Sequence, residues 1–172
     1  MNLPDYDSHG GPQGDEEHVD PPLLRANLGV LRESNPGLAD FVSQTGLPQD
    51  CEFTANREPP VMSVTGTLVH SSRNPFREAQ RLVDASLNTA STRVLLFFGF
   101  GLGFAIEYAL QHEKRYHCVV YEPEIGLIKA AFSTRDCRNI LENDRFSLFA
   151  GTDADELIPL LRSVRREELV II

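Results

Sequence analysis

Three glycines, Gly99, Gly101 and Gly103, stand between a continuous apolar run, Val94 to Phe98, and a stretch of helical apolar spacing, Phe104 to Gln111. Small residues are needed where a strand bends sharply into a helix and where a ligand must approach backbone amides. The helix that follows offers unpaired N–H groups and a partial positive charge to a polar or anionic ligand. Glu122 closes a second apolar run, His117 to Tyr121, 19 residues beyond Gly103. A carboxylate at that place can accept the hydroxyls of a ribose. A third apolar run, Phe146 to Ala150, leads into Gly151-Thr152-Asp153-Ala154-Asp155, where Asp153 or Asp155 supplies another carboxylate. The candidate cofactor-binding set is therefore Gly99, Gly101, Gly103, Glu122 and Asp153.

The glycine spacing is G-x-G-x-G, with Phe104 directly after Gly103. It departs from the G-x-G-x-x-G of dinucleotide-binding turns and is similar to the first motif of S-adenosylmethionine-dependent methyltransferases. Two readings stay open for the turn. It holds a nucleotide or S-adenosylmethionine-type ligand, or it holds none and its glycines serve strand–helix packing. No catalytic residue and no metal site is assigned. His70-Ser71-Ser72 lacks the strand–turn–helix context of a nucleophile elbow, and neither a Walker A lysine nor an H-E-x-x-H pair occurs.

The elements that must position these residues follow from hydrophobic period. Pro21-Pro22 opens a helix carrying Leu23, Leu24, Leu28 and Leu31, which Asn35-Pro36-Gly37 ends. Leu38 to Gln44 suggests a short second helix. From Cys51 the period becomes two: Phe53, Ala55 and Arg57, then Met62, Val64, Gly66 and Leu68, predict a two-stranded hairpin around Glu58-Pro59-Pro60. Asn74-Pro75 starts another helix, with Phe76, Ala79, Val83 and Leu87 on one face. Beyond it strands and helices alternate as a parallel sheet requires. The strands are Val94–Phe98, His117–Tyr121, Phe146–Ala150 and Leu169–Ile172; helices begin at Phe104, Pro123 and Asp153, the last kinked or delayed by Pro159. The fold class is α/β, a Rossmann-like parallel sheet of about four strands preceded by a small helix and hairpin region. A fourth strand at the last residue points to an incomplete sheet, with a further segment beyond it.

Of 172 residues, 41% are hydrophobic and 24% charged, the ordinary globular range. The net charge of −9 is concentrated at the start. Residues 1–22 contain Asp5, Asp7, Asp15, Glu16, Glu17 and Asp20 with no lysine or arginine, and too little apolar surface to fold. The expected divisions are a disordered acidic tail at 1–22, a helical and hairpin region at 23–90, and the Rossmann-like unit at 91–172. No basic stripe is present, which argues against nucleic-acid partners. No secretory leader or apolar run of membrane-spanning length is visible, so a cytoplasmic protein without a membrane partner is expected. Cys51, Cys118 and Cys137 form no C-x-x-C pair and read as reduced thiols.

Taken together, three stretches carry a family resemblance: His70-Ser71-Ser72-Arg73-Asn74-Pro75-Phe76-Arg77-Glu78-Ala79, then Phe98 to Phe104 with Glu107-Tyr108, then Val120-Tyr121-Glu122-Pro123-Glu124. They resemble the N-terminal domain of the motility accessory factor (Maf) family, bacterial proteins regarded as glycosyltransferases that load nonulosonic acids onto flagellin. The resemblance runs from about Leu24 to the last residue. It implies a domain that serves flagellin glycosylation without catalysing it alone, because the family's sugar chemistry is attributed to a following domain. Flagellin or that catalytic domain would be its partner. The alternatives are a methyltransferase-like S-adenosylmethionine enzyme and an inactive truncated product.

Overall fold

The computed structural model describes residues 21–54, 58–87, 91–112, 115–152 and 154–172. The acidic tail over residues 1–20, the hairpin positions Ala55 and Arg57, and Asp153 lie outside the described residues.

Helix α1 (Pro22–Ser34) buries Leu24, Leu28 and Leu31, as their spacing requires, together with Asn27. Asn35 then serves two helices at once. Its amide donates to the Leu31 carbonyl at 2.7 Å, while its side chain accepts from Leu38 N at 3.0 Å to cap α2 (Pro36–Gln44). The next region is a three-stranded antiparallel sheet, β1 (Cys51–Thr54), β2 (Val61–Val64) and β3 (Thr67–Leu68), in sequence order. This corrects the two-stranded hairpin. Thr65 and Gly66 take φ of +50° and +75°, a left-handed pair that reverses the chain, so Gly66 lies in a turn and Leu68 pairs back against Ser63.

Helix α3 (Pro75–Ser86) starts where Asn74-Pro75 predicts, the Asn74 side chain accepting from Arg77 N at 2.9 Å. Ala79 and Val83 are buried, but Phe76 is 56% exposed, lying on the flank of Phe104 instead of in the core. Then come β4 (Val94–Phe98), α4 (Phe104–His112), β5 (His117–Glu122), α5 (Ile125–Thr134), α6 (Arg138–Leu141), β6 (Phe146–Ala150), α7 (Leu157–Ser163) and β7 (Leu169–Ile171). Several details differ from expectation, beginning with α2, which starts at Pro36 and not at Leu38. Pro123 precedes α5, whose cap is Glu124; α6 is an added turn; and α7 starts at Leu157, which places Pro159 in the first turn, where its missing N–H has no intrahelical acceptor to lose.

Strands β6, β5, β4 and β7 form a parallel sheet in that spatial order. This is the Rossmann-like arrangement: the chain steps outward from β4 through β5 to β6, then crosses back to the other side of β4. Ligands of such sheets bind at the carboxyl ends of the strands near that reversal. One sheet face, bearing Leu95, Phe97, Cys118, Val120 and Leu148, belongs to the main core with α4 and α5. The other face packs Leu96 and Val119 against Leu157 of α7. Helices α1 and α2 pack on α5, and β1 also touches α5, so the N-terminal elements and the parallel sheet share one core. Cys118 and Cys137 are buried within it, and burial pushes both thiols up to about 12. Among the described residues no helix is long and apolar enough to cross a membrane.

Candidate functional site at the glycine turn

The turn from β4 into α4 uses its glycines as the spacing demands. Gly99, Gly101 and Gly103 have φ of +94°, +55° and +75°, backbone that side chains with a Cβ rarely adopt. Gly103 is further constrained by space, since a Cβ there would stand 2.7 Å from Ile140 Cδ1. The two spacer residues face inward. Phe100 and Leu102 are 3% and 1% exposed, and the Phe100 ring packs edge-on against Phe132. The turn is thus pinned to the core at both spacer positions.

Glu122 is brought to the same place and is only 3% exposed. Its Oε2 accepts from the Phe100 amide at 3.0 Å and its Oε1 from the Glu124 amide at 3.1 Å. The carboxylate therefore clasps the glycine turn to the loop after β5. Burial raises its pKa above the ordinary value, the two amide hydrogen bonds oppose that rise, and the nearby Glu124 adds to it. Each oxygen still has a lone pair beyond its amide, so a ligand hydroxyl remains a chemically competent third partner. The backbone carbonyl of Glu122 accepts from Gly151 N at 2.9 Å, bringing the end of β6 alongside. Asp155, beyond it, is exposed.

Two cavities flank the turn. One, of about 300 Å³, lies between Phe98, Gly99, Gly101 and Glu122 on one side and Met62 and Val69 on the other. The second, about 230 Å³, is bounded by His70, Glu78, Gly101 and the first residues of α4, Phe104 and Ala105. The amides of those two residues open the helix and have no intrahelical acceptor. His70 sits edge-on against Phe104, with ring centroids 5.0 Å apart. Burial lowers its pKa, and its Nε2 is buried without a hydrogen-bond partner among the described residues. No group of side chains suited to a metal ion occurs among the described residues.

Two structural residues escaped the sequence reading. Arg135, just past α5, donates to the Leu102 carbonyl at 2.7 Å, pairs with Glu107 of α4, and lies over the Phe104 ring at 4.1 Å. It holds the turn from below. Asn27 of α1 is fully buried and donates to the carbonyls of Phe132 and Arg135 at 2.9 and 2.8 Å, while accepting from Cys137 N at 2.8 Å. In the sequence, Asn27 sat unremarked among leucines. Its place on the apolar face of an otherwise leucine-lined helix was the available signal.

No family model matches the chain. A stretch of 104 residues, 59% of this chain and 36% of the relative's length, is 25% identical to an uncharacterized protein of Treponema pallidum (strain Nichols). The chain therefore spans well under two thirds of the curated relative it matches. Among solved structures, the MAf glycosyltransferase from Magnetospirillum magneticum AMB-1 superposes with a TM-score of 0.58 over 82% of this chain and 29% of that one, at 14% identity. At that identity the likeness is one of fold: this chain shares its α/β architecture with part of a MAf glycosyltransferase.

Proposed function

We propose that this chain is the N-terminal Rossmann-like domain of a motility-accessory-factor-type glycosyltransferase, serving flagellin glycosylation in the cytoplasm as a scaffold that does not transfer sugar itself. The observation that carries this reading is convergence. The three sequence stretches that resemble the family lie apart in the chain, yet meet at one point. Asn74-Pro75 starts the helix whose Phe76 packs on Phe104; the glycine turn precedes Phe104; and Glu122 clasps that turn through Phe100 N. In this reading the shared residues maintain a rigid corner, against which a catalytic domain or flagellin docks. The purified chain, given a nucleotide-activated nonulosonic acid and unmodified flagellin, is expected to leave the flagellin mass unchanged. An increase by one sugar residue would contradict the non-catalytic role.

A second reading rests on the cavity beside Glu122. A carboxylate and apolar walls that include Met62 and Leu127 suit a nucleoside-type ligand, whether a nucleotide or the S-adenosylmethionine of a methyltransferase-like enzyme. Calorimetric titration with S-adenosylmethionine, S-adenosylhomocysteine and cytidine monophosphate tests it, and no heat with any of them sinks it.

A further inference from the structure

The cavities on either side of the glycine turn share two residues, Gly101 and Val69. Val69 follows β3 and reaches across the turn so closely that a Cβ on Gly101 would stand 3.3 Å from its Cγ1. We propose that the two cavities are halves of one nucleoside-derivative site, and that Val69 is the shutter dividing them. This rests on the reading of the turn as a ligand site and adds how that site is gated and what shape of ligand it takes.

The halves are complementary in chemistry. On the Glu122 side stand a carboxylate and the apolar side chains of Met62 and Leu127, partners for vicinal hydroxyls and for the face of a base. On the α4 side stand the free amides of Phe104 and Ala105 with His70, partners for a polar group carried on the 5′ carbon. Ligand pockets commonly occupy roughly 300–1,000 Å³; the α4 half alone falls below that range, and the two joined fall within it. The strap bearing Val69 is tied at its ends, by Val69 N to the Met62 carbonyl at 3.0 Å and by Ser71 N to Glu78 Oε2. Between these ties the Val69 side chain is 40% exposed, so it can turn outward without leaving a packed core, and His70 keeps Nε2 buried with no partner among the described residues. A strap that leaves a polar atom unmet is one that lifting can relieve, by letting water or a ligand reach it. A ligand confined to the Glu122 half needs no lifting, whereas one with a 5′ extension must displace Val69.

Titration of the full chain with adenosine and with S-adenosylhomocysteine, in wild type, Val69→Ala and Val69→Leu, tests the shutter. Val69→Ala is expected to raise the ratio of S-adenosylhomocysteine to adenosine affinity about tenfold and Val69→Leu to lower it about tenfold, the ratio being read because Val69 also walls the adenosine half. Opposite shifts from two apolar substitutions cannot arise from a shared folding defect, and thermal melts of each variant confirm the fold. The same ratio in all three proteins overturns the shutter and leaves the nucleoside reading standing. No binding of either ligand by any of the three overturns both.

Discussion

A buried carboxylate that accepts two amides with two different oxygens cannot be exchanged for its amide without loss. In Glu122→Gln, one of the two amides, of Phe100 or Glu124, would face an NH2 group instead of an acceptor. Destabilisation of about 1–3 kcal/mol is expected from the unmet donor, partly offset because a charge no longer has to be buried. Chemical denaturation measures it; a variant as stable as wild type would show that the clasp contributes nothing. Arg135 has more at stake, because its ion pair with Glu107 is largely buried, with side chains 12% and 18% exposed. Arg135→Ala leaves Glu107 without its cation and the Leu102 carbonyl without its donor, a loss of about 3–5 kcal/mol. The same measurement checks it, and Arg135→Lys should recover only part, since an ammonium cannot reproduce the planar fork.

Protonation acts at this corner through His70 and at the opposite end of the sheet through His117. His70 and His117 both have folded pKa values below the ordinary 6.5, in each case with burial as the leading cause. The unfolded chain therefore binds more protons in the window just below that value. Stability that is fully present above it is lost as pH falls through 6.5 toward the folded values. Glu122 works with the opposite sign: its folded pKa is raised, so its contribution declines as pH rises above the ordinary 4.5. Melting temperature should fall between about pH 7.5 and about pH 5.5, and His70→Phe should reduce that fall. An equal fall in the variant would remove His70 from the explanation.

At the scale of elements, α5 lies close against the loop after α2. A Cβ on Gly126 would lie 2.8 Å from the Gly46 carbonyl oxygen and 2.9 Å from Pro48 Cδ. Lys129, three residues further along the same helix, donates to the carbonyls of Ser43 and Thr45 at 2.7 and 2.8 Å, fastening the end of α2. Gly126→Ala, which on helix propensity alone should stabilise α5 by about 1 kcal/mol, is expected to destabilise by about 1–3 kcal/mol because backbone must move. A thermal melt at or above the wild-type midpoint would contradict that packing. The elements themselves were largely legible, because apolar periods and Asn-Pro starts are local signals. Asn74 caps where its proline indicates, whereas Asn35, read as the end of one helix, also caps the start of the next. The second hairpin strand was misread because Thr65 adopts a left-handed conformation that its residue type does not announce. The site was legible as positions and not as partnerships. Gly99, Gly101, Gly103 and Glu122 do converge, but which groups face Glu122 depends on an amide 22 residues away. Asn27 and Arg135 act across 110 and 28 residues, separations at which no local pattern carries information.

Over the whole molecule, the N-terminal helices act as a brace on the Rossmann-like sheet. Helix α1 is bound to the end of α5 through Asn27, α5 ends at Arg135, and Arg135 supports the glycine turn. One continuous path of buried and part-buried hydrogen bonds therefore joins the N-terminal elements to the turn. The opposite sheet face is covered by α7, and Phe98 and Ile171 on it are each 61% exposed. In the proposed function this braced corner is the scaffold for flagellin glycosylation. The most direct measurement is the intact mass of flagellin from cells that make this protein and from cells in which it has been deleted. Flagellin in the deleted cells is expected to be lighter by its sugar residues, with the mass restored when the gene is returned. Flagellin of unchanged, fully glycosylated mass in the deleted cells would contradict it.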